Sequence, residues 1–348
     1  MTKIATNLSP TMASQANAPL PDGYELEGYR IVKKISSGGF SIVYLARDEF
    51  ERPVAIKEYL PSSLALRRDG ELAPTISEEN LPTFRIGLKC FFEEGRALAR
   101  ILHPNVVRVV NFFRANDTVY MVMQYEQGRS LQEHILKHRE RGDKKLLGER
   151  FIRMVFSQVM NGLREVHTNK LLHLDLKPAN VYLRTDGSPI LLDFGAARQT
   201  LQSDTGKLYP MYTPGFAAPE LYEKNGVLGP WTDIYSIGAS IFASMSGHAP
   251  QPADARLLND KMSNKYRNLS DSYSQELLGV VEWCLRLDPL ARPQSVFGLQ
   301  KALLEHASSK PKKTINRTLR RIWRSILPRG FHRKEPSSTL SMNTRRHK

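Results

Sequence analysis

The chain has 348 residues, of which 41% are hydrophobic and 24% are charged, and its formal net charge is +15. These values are ordinary for a globular protein and exclude a chain that is disordered throughout. The charge is unevenly distributed. Residues 308–348 hold thirteen of the 50 Lys and Arg residues and one of the 35 acidic residues, so the net charge of this tail is +12. The other 307 residues have a net charge of +3. A nucleic-acid partner is therefore not expected, since the folded part adds no basic patch to the tail.

The cysteines and the amino-terminal segment point to a reducing compartment. Cys90 and Cys284 lie far apart without metal-ligand spacing, so they are interpreted as small buried apolar residues. Residues 1–22 contain three prolines and no apolar signal-peptide core. The sequence has no run of about 18 apolar residues, so we expect no membrane-spanning helix. We expect a cytoplasmic protein in which residues 1–23 form a flexible leader.

The first half of the chain is predicted to be mainly β-structure. Alternating and β-branched runs predict strands over Tyr29–Ser36, Ser41–Arg47, Arg52–Tyr59, Val106–Phe113 and Thr118–Tyr125. Apolar residues at helical spacing predict one helix, Phe84–Leu102, which His103-Pro104 would end. The stretch 58–82 before this helix is expected to be irregular.

The second half is predicted to be helical. Helices are expected over Leu131–Arg139, Arg150–Thr168, Trp231–Met245, Ser274–Arg286 and Gln294–Ala307. A strand-rich half followed by a helical half is typical of an α+β protein. We therefore predict one domain over residues 24–306, with a small lobe at 24–124, a hinge at 124–128 and a larger lobe at 129–306, followed by a basic tail at 307–348.

Six short motifs occur along the predicted domain. They are Gly38-Gly39-Phe40-Ser41-Ile42-Val43, Val54-Ala55-Ile56-Lys57, Glu94, His173-Leu174-Asp175-Leu176-Lys177-Pro178-Ala179-Asn180, Asp193-Phe194-Gly195 and Ala218-Pro219-Glu220. In this order and context the chain resembles the eukaryotic-like serine/threonine protein kinases, most of all their bacterial members. The resemblance covers residues 24–306. It implies a two-lobed kinase fold, with a β-rich N-lobe and a helical C-lobe, and an enzyme that transfers the γ-phosphoryl group of ATP to Ser or Thr of protein substrates in bacterial signalling.

The resemblance implies catalytic roles for four side chains. Asp175 would orient the substrate hydroxyl and accept its proton, and Lys57 would neutralise the α- and β-phosphates. The helix partner of Lys57 is expected to be Glu94, with Glu93 as the alternative. Lys177, which follows the catalytic aspartate, indicates a serine/threonine rather than a tyrosine kinase.

The same template implies a nucleotide pocket and a metal site. Its nucleotide contacts would be Gly38, Gly39, Val43, Ala55, Lys57, Met123, Gln124, Glu126 and Tyr182. Asn180 and Asp193 carry the hard oxygen atoms that Mg²⁺, or Mn²⁺ in its place, would take as ligands. Val43, Ala55 and Met123 can also be interpreted as plain core residues.

Other matching residues are expected to support the site. Thr213 would tie the segment after it to the catalytic Asp and Lys. Glu220 and Arg292 match an ion pair of the family, and Asp233 matches the acid that holds the backbone of the catalytic loop.

Two departures from the family pattern affect regulation and binding. Ser36 and Ser41 stand where the glycine-rich loop usually has glycine, so the loop should be stiffer. Leu174 replaces the arginine that pairs with a phosphorylated activation segment. Activation by phosphorylation within residues 196–217 is therefore not expected.

Two competing functions remain. A pseudokinase, acting as a scaffold or nucleotide-binding module, would explain the reduced glycine content of the loop. A kinase for small molecules is a further alternative, although the intact Ala218-Pro219-Glu220 segment favours protein substrates.

The basic tail contains a candidate amphipathic helix at 314–327. Its apolar residues share one helical face and are Ile315, Leu319, Ile322, Trp323, Ile326 and Leu327. Such a helix, with arginines on its other side, could lie on an anionic membrane, which would make the protein peripheral at the inner membrane face. The alternatives are docking on a partner protein and a solvated basic tail.

Overall fold

The computed structural model describes residues 17–142, 146–194, 213–223 and 225–305. The strands are β1 (Glu25–Leu26), β2 (Tyr29–Ser37), β3 (Ser41–Arg47), β4 (Pro53–Tyr59), β5 (Ala65–Leu66), β6 (Thr75–Ile76), β7 (Val109–Ala115), β8 (Thr118–Gln124), β9 (Gly128–Ser130), β10 (Val181–Arg184) and β11 (Pro189–Leu191). The helices are α1 (Leu81–Leu98), α2 (Leu131–Glu140), α3 (Glu149–Thr168), α4 (Pro230–Ser246), α5 (Ala253–Leu258), α6 (Met262–Leu269), α7 (Gln275–Cys284) and α8 (Val296–Glu305).

The N-lobe is an antiparallel sheet with one helix against it. Its strand order is β1-β2-β3-β4-β8-β7, so the strand that ends with Tyr59 is central. Helix α1 packs on β7 and β8, where the ring of Phe92 meets that of Phe112 edge-on with centroids 4.8 Å apart. A second face of the sheet buries Tyr44 and Ile56 completely. This sheet therefore fixes the position of every residue that β3 and β4 carry.

The C-lobe is built around α4, which is buried along almost its whole length. Within it Ser236, Ser240 and Ser244 are 3%, 0% and 0% exposed. Each hydroxyl donates to the carbonyl four residues earlier, so that a polar side chain can be buried inside the helical core. Helices α3 and α7 pack against α4, and α8 packs against α3.

The predicted two-lobed α+β fold is confirmed, and the predicted long elements are present with ends that differ by at most four residues. Helix α1 ends at Leu98 rather than Leu102, because Arg100 and Ile101 donate to carbonyls three residues back and tighten the chain into turns. The strands β1, β5, β6, β9, β10 and β11 and the helices α5 and α6 were not predicted. Most of these elements have two to four residues, which is too few to show a period.

The prediction of a flexible leader is wrong for its described end. The backbone N–H of Arg67 donates to the Asn17 side chain at 2.7 Å, and the N–H of Ala18 donates to the carbonyl of Arg67 at 3.0 Å. Leu20 is 1% exposed. Residues 17–20 therefore pack on the N-lobe, while residues 1–16 lie outside the described ranges.

None of the helices within the described ranges is long and apolar enough to cross a bilayer. The predicted tail, with its candidate helix at 314–327, lies outside those ranges.

Candidate active site

Three polar side chains converge on the carboxylate of Asp175 in the loop before β10. The Lys177 ammonium lies 3.0 Å from the Asp175 carboxylate and 2.9 Å from the hydroxyl of Thr213. That hydroxyl donates to Asp175 at 3.2 Å, and the Asn180 amide donates to the other carboxylate oxygen at 3.0 Å. Because both oxygens accept hydrogen bonds, the carboxylate has a fixed orientation.

The backbone of this loop is held by Asp233, in the first turn of α4. The Asp233 carboxylate accepts the N–H groups of His173 at 2.9 Å and Leu174 at 2.8 Å, and the His167 ring lies 2.8 Å from it. Leu174 has a φ of 60°, in the left-handed region that a leucine rarely adopts. Asp233 thus stabilises a strained backbone conformation directly before Asp175, as the sequence predicted for this residue.

Two buried titratable groups support the loop with shifted pKa values. Burial alone would raise the pKa of Asp233, but the hydrogen bond and charge of His167, with the field and N–H of His173, hold it below its ordinary value. Burial lowers the pKa of His173 despite the neighbouring carboxylates. The neutral His173 ring fits its partners, since Nε2 lies 3.0 Å from the Leu192 carbonyl and Nδ1 can accept from Asp175 N.

Lys57 and Asp193 form the second part of the site. The Lys57 ammonium lies 2.9 Å from Asp193 Oδ1, and its side chain is 7% exposed. Phe194 follows Asp193, is 4% exposed and stacks on the ring of His173 at 4.4 Å. Asn180 joins the two parts, because its amide also lies 3.4 Å from the Asp193 carbonyl.

The choice between Glu93 and Glu94 is decided by burial. Glu94 is 8% exposed and lines the same small cavity as Lys57. Glu93 is exposed and lies 3.3 Å from Arg96 on the same helix. Glu94 is therefore the helix acid on the side of α1 that faces Lys57.

The residues expected to bind Mg²⁺ fit such an ion. Asn180 directs its amide N–H groups at Asp175 and the Asp193 backbone, which turns its oxygen away from them. Asp193 offers a carboxylate that is 35% exposed. Two oxygen ligands of this kind suit an ion that keeps several waters. Gly195, the last residue of this motif, lies outside the described ranges.

The expected apolar pocket residues share one face of the N-lobe sheet. Val43 is paired with Lys57 across β3 and β4, and Ala55 is paired with Met123 across β4 and β8. Directly paired residues project to the same face, as do residues two apart on one strand. Val43, Ala55 and Met123 therefore lie on the same face of the sheet as Lys57, as a nucleotide pocket requires.

Gly38 and Gly39 lie in the turn between β2 and β3. No described atom lies within 4 Å of a Cβ built on either glycine, and neither has a positive φ. Their fold in this structure therefore does not require glycine. The requirement would come from a ligand that approaches the backbone closely.

The predicted hinge is the short connection between β8 and β9. Gln124 ends β8 and its N–H donates to the Arg108 carbonyl at 2.9 Å, while Glu126 pairs with Arg184 at 2.9 Å. Gly128 is obligatory here, because a Cβ would lie 2.0 Å from the Leu183 carbonyl oxygen. Tyr182 on β10 pairs with Ser130 of β9 and so lies beside the hinge.

The expected Glu220–Arg292 ion pair is present and buried. Two nitrogens of Arg292 bind the two Glu220 oxygens at 2.8 and 2.9 Å, and the Thr232 hydroxyl donates to Glu220 at 2.8 Å. Arg292 also lies over the Tyr235 ring at 5.0 Å. This bidentate pair connects the Ala218-Pro219-Glu220 segment to the C-lobe core.

The sequence did not reveal several residues around the site. They include His167, which contacts Asp233; Arg184, which pairs with Glu126; and Tyr59, which lines the cavity beside Lys57. The partners of His167 and Arg184 lie 66 and 58 residues away, so sequence spacing carries no signal for them. Tyr59 lies two residues after Lys57 on one strand, and that alternation could have placed it on the same face.

Residues 29–307 match the family described as protein kinase domain. CBL-interacting protein kinase 33 of Oryza sativa subsp. japonica is 31% identical over 68% of this chain and 48% of its own. Serine/threonine-protein kinase B of Synechocystis sp. is 24% identical over 79% of this chain and 48% of its own. This chain thus spans about half the length of these curated relatives.

A solved structure described as the PpkA-294 apo form is similar over almost the whole domain. It is 35% identical, with a TM-score of 0.73, over 83% of this chain and 100% of that chain.

Proposed function

Because this chain belongs to the protein kinase family, we propose that it transfers the γ-phosphoryl group of ATP to Ser and Thr hydroxyls of protein substrates in bacterial signalling. One observation carries the proposal. The Asp175 carboxylate is held by Lys177, Thr213 and Asn180 at 3.0–3.2 Å, directly beside the Lys57–Asp193 pair. The similarity to serine/threonine-protein kinase B of Synechocystis sp. supports the substrate class.

Asp175 would act on the acceptor hydroxyl. Its fixed carboxylate can accept the hydroxyl hydrogen and place the oxygen in line with the γ-phosphorus. Lys177, 3.0 Å away, adds a cation where negative charge accumulates on the transferred group. The contact of Lys177 with Thr213 at 2.9 Å would couple this centre to the segment that binds the protein substrate.

Lys57, Asn180 and Asp193 would act on the phosphates of ATP. Lys57 would exchange part of its contact with Asp193 for the α- and β-phosphates. Asn180 and Asp193 would hold Mg²⁺, or Mn²⁺ in its place. When bound, such an ion would supply positive charge that offsets the charge of the phosphates. Glu94 would position Lys57 from α1.

The sheet face with Val43, Ala55 and Met123 would cover the adenine ring. Backbone groups of the hinge at Gln124 and Glu126 would contact the edge of the adenine.

The test is phosphoryl transfer by the purified chain with labelled ATP, Mg²⁺ and a generic protein acceptor. Lys57→Ala and Asp193→Asn should each lower the rate at least about 100-fold, because each removes charge that acts on the phosphates. Lys89→Ala and Asp271→Asn, at exposed sites, are matched controls that should behave like the wild type. Labelled Ser or Thr should appear in the acceptor. Wild-type protein that binds Mg²⁺ and ATP but transfers no phosphate would instead favour the pseudokinase.

For the basic tail we propose contact with an anionic membrane surface or with a partner protein, which would make a cytoplasmic enzyme peripheral at the inner membrane face. The support is the sequence alone: an apolar helical face within 314–327 and a charge of +12 over residues 308–348. The full chain and a chain ending at Ser308 should sediment differently with anionic vesicles at low salt. Equal partition of both chains would remove the membrane proposal and leave the partner protein.

A further inference from the structure

The chain directly after the Lys57 strand contacts the tip of the glycine-rich turn. The Leu60 N–H donates to the Phe40 carbonyl at 2.8 Å. Ser62 makes two bonds to the Gly39 carbonyl, from its N–H at 2.9 Å and from its hydroxyl at 3.3 Å. The two central residues of the turn are therefore attached through their carbonyl groups to residues 60–62.

This attachment is firm because buried contacts fix the chain on both sides of Ser62. Leu60 is 1% exposed. Arg67 is also 1% exposed, and its guanidinium binds both Glu58 oxygens at 2.5 and 2.7 Å. Tyr44 and Tyr120 donate their hydroxyls to the same carboxylate at 2.7 and 2.8 Å. An ion pair with this many hydrogen bonds is costly to disturb, so residues 58–67 form a rigid support.

The orientation of the two carbonyls determines where the neighbouring N–H groups point. In a planar trans peptide the N–H points opposite to the C=O of the preceding residue. Since the carbonyls of Gly39 and Phe40 point to residues 60–62, the N–H groups of Phe40 and Ser41 are turned to the other side. Successive backbone N–H groups on one side of a turn form a concave site for anions.

We propose that Ser62 is a positioning residue for the nucleotide: by holding the Gly39 carbonyl, it aims the N–H groups of Phe40 and Ser41 at the phosphates of ATP. The inference rests on the proposed function, in which the turn covers those phosphates. The role of Ser62 is consistent with the reduced glycine content of the glycine-rich loop. A turn that is anchored before binding loses less conformational freedom when the nucleotide binds.

The test compares three variants of the full chain. Ser62→Ala removes the hydroxyl bond to Gly39 and should raise the KM for ATP about fivefold, the factor typical of one lost hydrogen bond. The kcat should change less than twofold, because Ser62 does not touch the reacting atoms. Ser62→Thr keeps a hydroxyl and should restore the wild-type KM. Ser63→Ala, at the exposed neighbouring serine, is the control.

Equilibrium binding separates this proposal from the proposed function. With Mg²⁺, the Kd of a non-hydrolysable ATP analogue should rise about fivefold in Ser62→Ala, whereas the Kd of adenosine, which lacks phosphates, should not change. A catalytically inactive wild type would overturn the proposed function and leave this comparison valid. Unchanged analogue binding in Ser62→Ala, equal weakening of adenosine, or no rescue by threonine would overturn the role of Ser62.

Discussion

Asp233→Asn tests how far catalysis depends on the hydrogen bonds that hold the backbone of the catalytic loop, because it leaves the reacting side chains unchanged. The Asp233 carboxylate is fully buried and accepts hydrogen bonds at 2.8–2.9 Å from the N–H groups of His173 and Leu174 and from the His167 ring. An asparagine has the same shape but only one oxygen. Its NH₂ group must therefore face one of the two backbone N–H donors.

The energetic effect follows from that count. At least one hydrogen bond to a charged acceptor is lost, which is worth about 1.5–3 kcal/mol, and one buried N–H is left unsatisfied at a cost of about 1–3 kcal/mol. We expect a loss of about 3 kcal/mol in the free energy of unfolding, within the roughly 5–15 kcal/mol that a domain has. The protein should fold, but Leu174 would lose support for its left-handed backbone.

The functional effect should be larger than the loss of stability suggests. Asp175 follows Leu174, and a displacement of about 1 Å of a catalytic group can reduce turnover about 100-fold. The assay measures kcat for a protein acceptor, the Kd of a non-hydrolysable ATP analogue and the urea midpoint at pH 7.5. We expect a fall of about 100-fold in kcat with analogue binding changed less than threefold.

Asp271→Asn, which changes an exposed aspartate, is the matched control and should leave all three quantities unchanged. An Asp233→Asn protein with the expected loss of stability but a wild-type kcat would show that the loop does not need this support for catalysis. An unchanged urea midpoint would refute the hydrogen-bond argument itself.

Gly38→Ala should keep the wild-type melting temperature, since its Cβ meets no described atom, but should raise the KM for ATP about tenfold by hindering phosphate approach. Phosphatase treatment should leave the initial rate nearly unchanged, because Leu174 cannot pair with a phosphate; a long lag would show that another basic residue does so. Burial lowers the pKa of His173, so its contribution to the free energy of unfolding should be fully present above the ordinary pKa of 6.5 and be lost as the pH falls below that value. His173→Gln should therefore make the urea midpoint depend less on pH between pH 7.5 and 5.5.

Several predicted site residues lie together in the structure, and each carries chemistry at a recognisable spacing in the sequence. Asp175, Lys177 and Asn180 lie within six residues of one another, and the structure brings Thr213 and Asp193 to them. The choice between neighbouring residues needed the fold, since Glu93 and Glu94 differ only in the side of α1 that they occupy.

The contacts that position the site could not be predicted in the same way. Asn17 meets Arg67 across 50 residues, and Ser62 meets Gly39 across 23. Polar residues of this kind are common in loops, and their partners are set by the course of the chain rather than by spacing. For the same reason the stretch 58–82 was expected to be irregular, although it contains the β5–β6 pair and the buried Arg67.

The most direct test of the proposed catalysis is the turnover of Asp175→Asn beside its binding of ATP. If Asp175 orients the acceptor hydroxyl, kcat should fall at least about 100-fold, while the Kd of a non-hydrolysable ATP analogue stays within twofold of the wild type. Transfer of phosphate at the wild-type rate by Asp175→Asn would contradict the assignment.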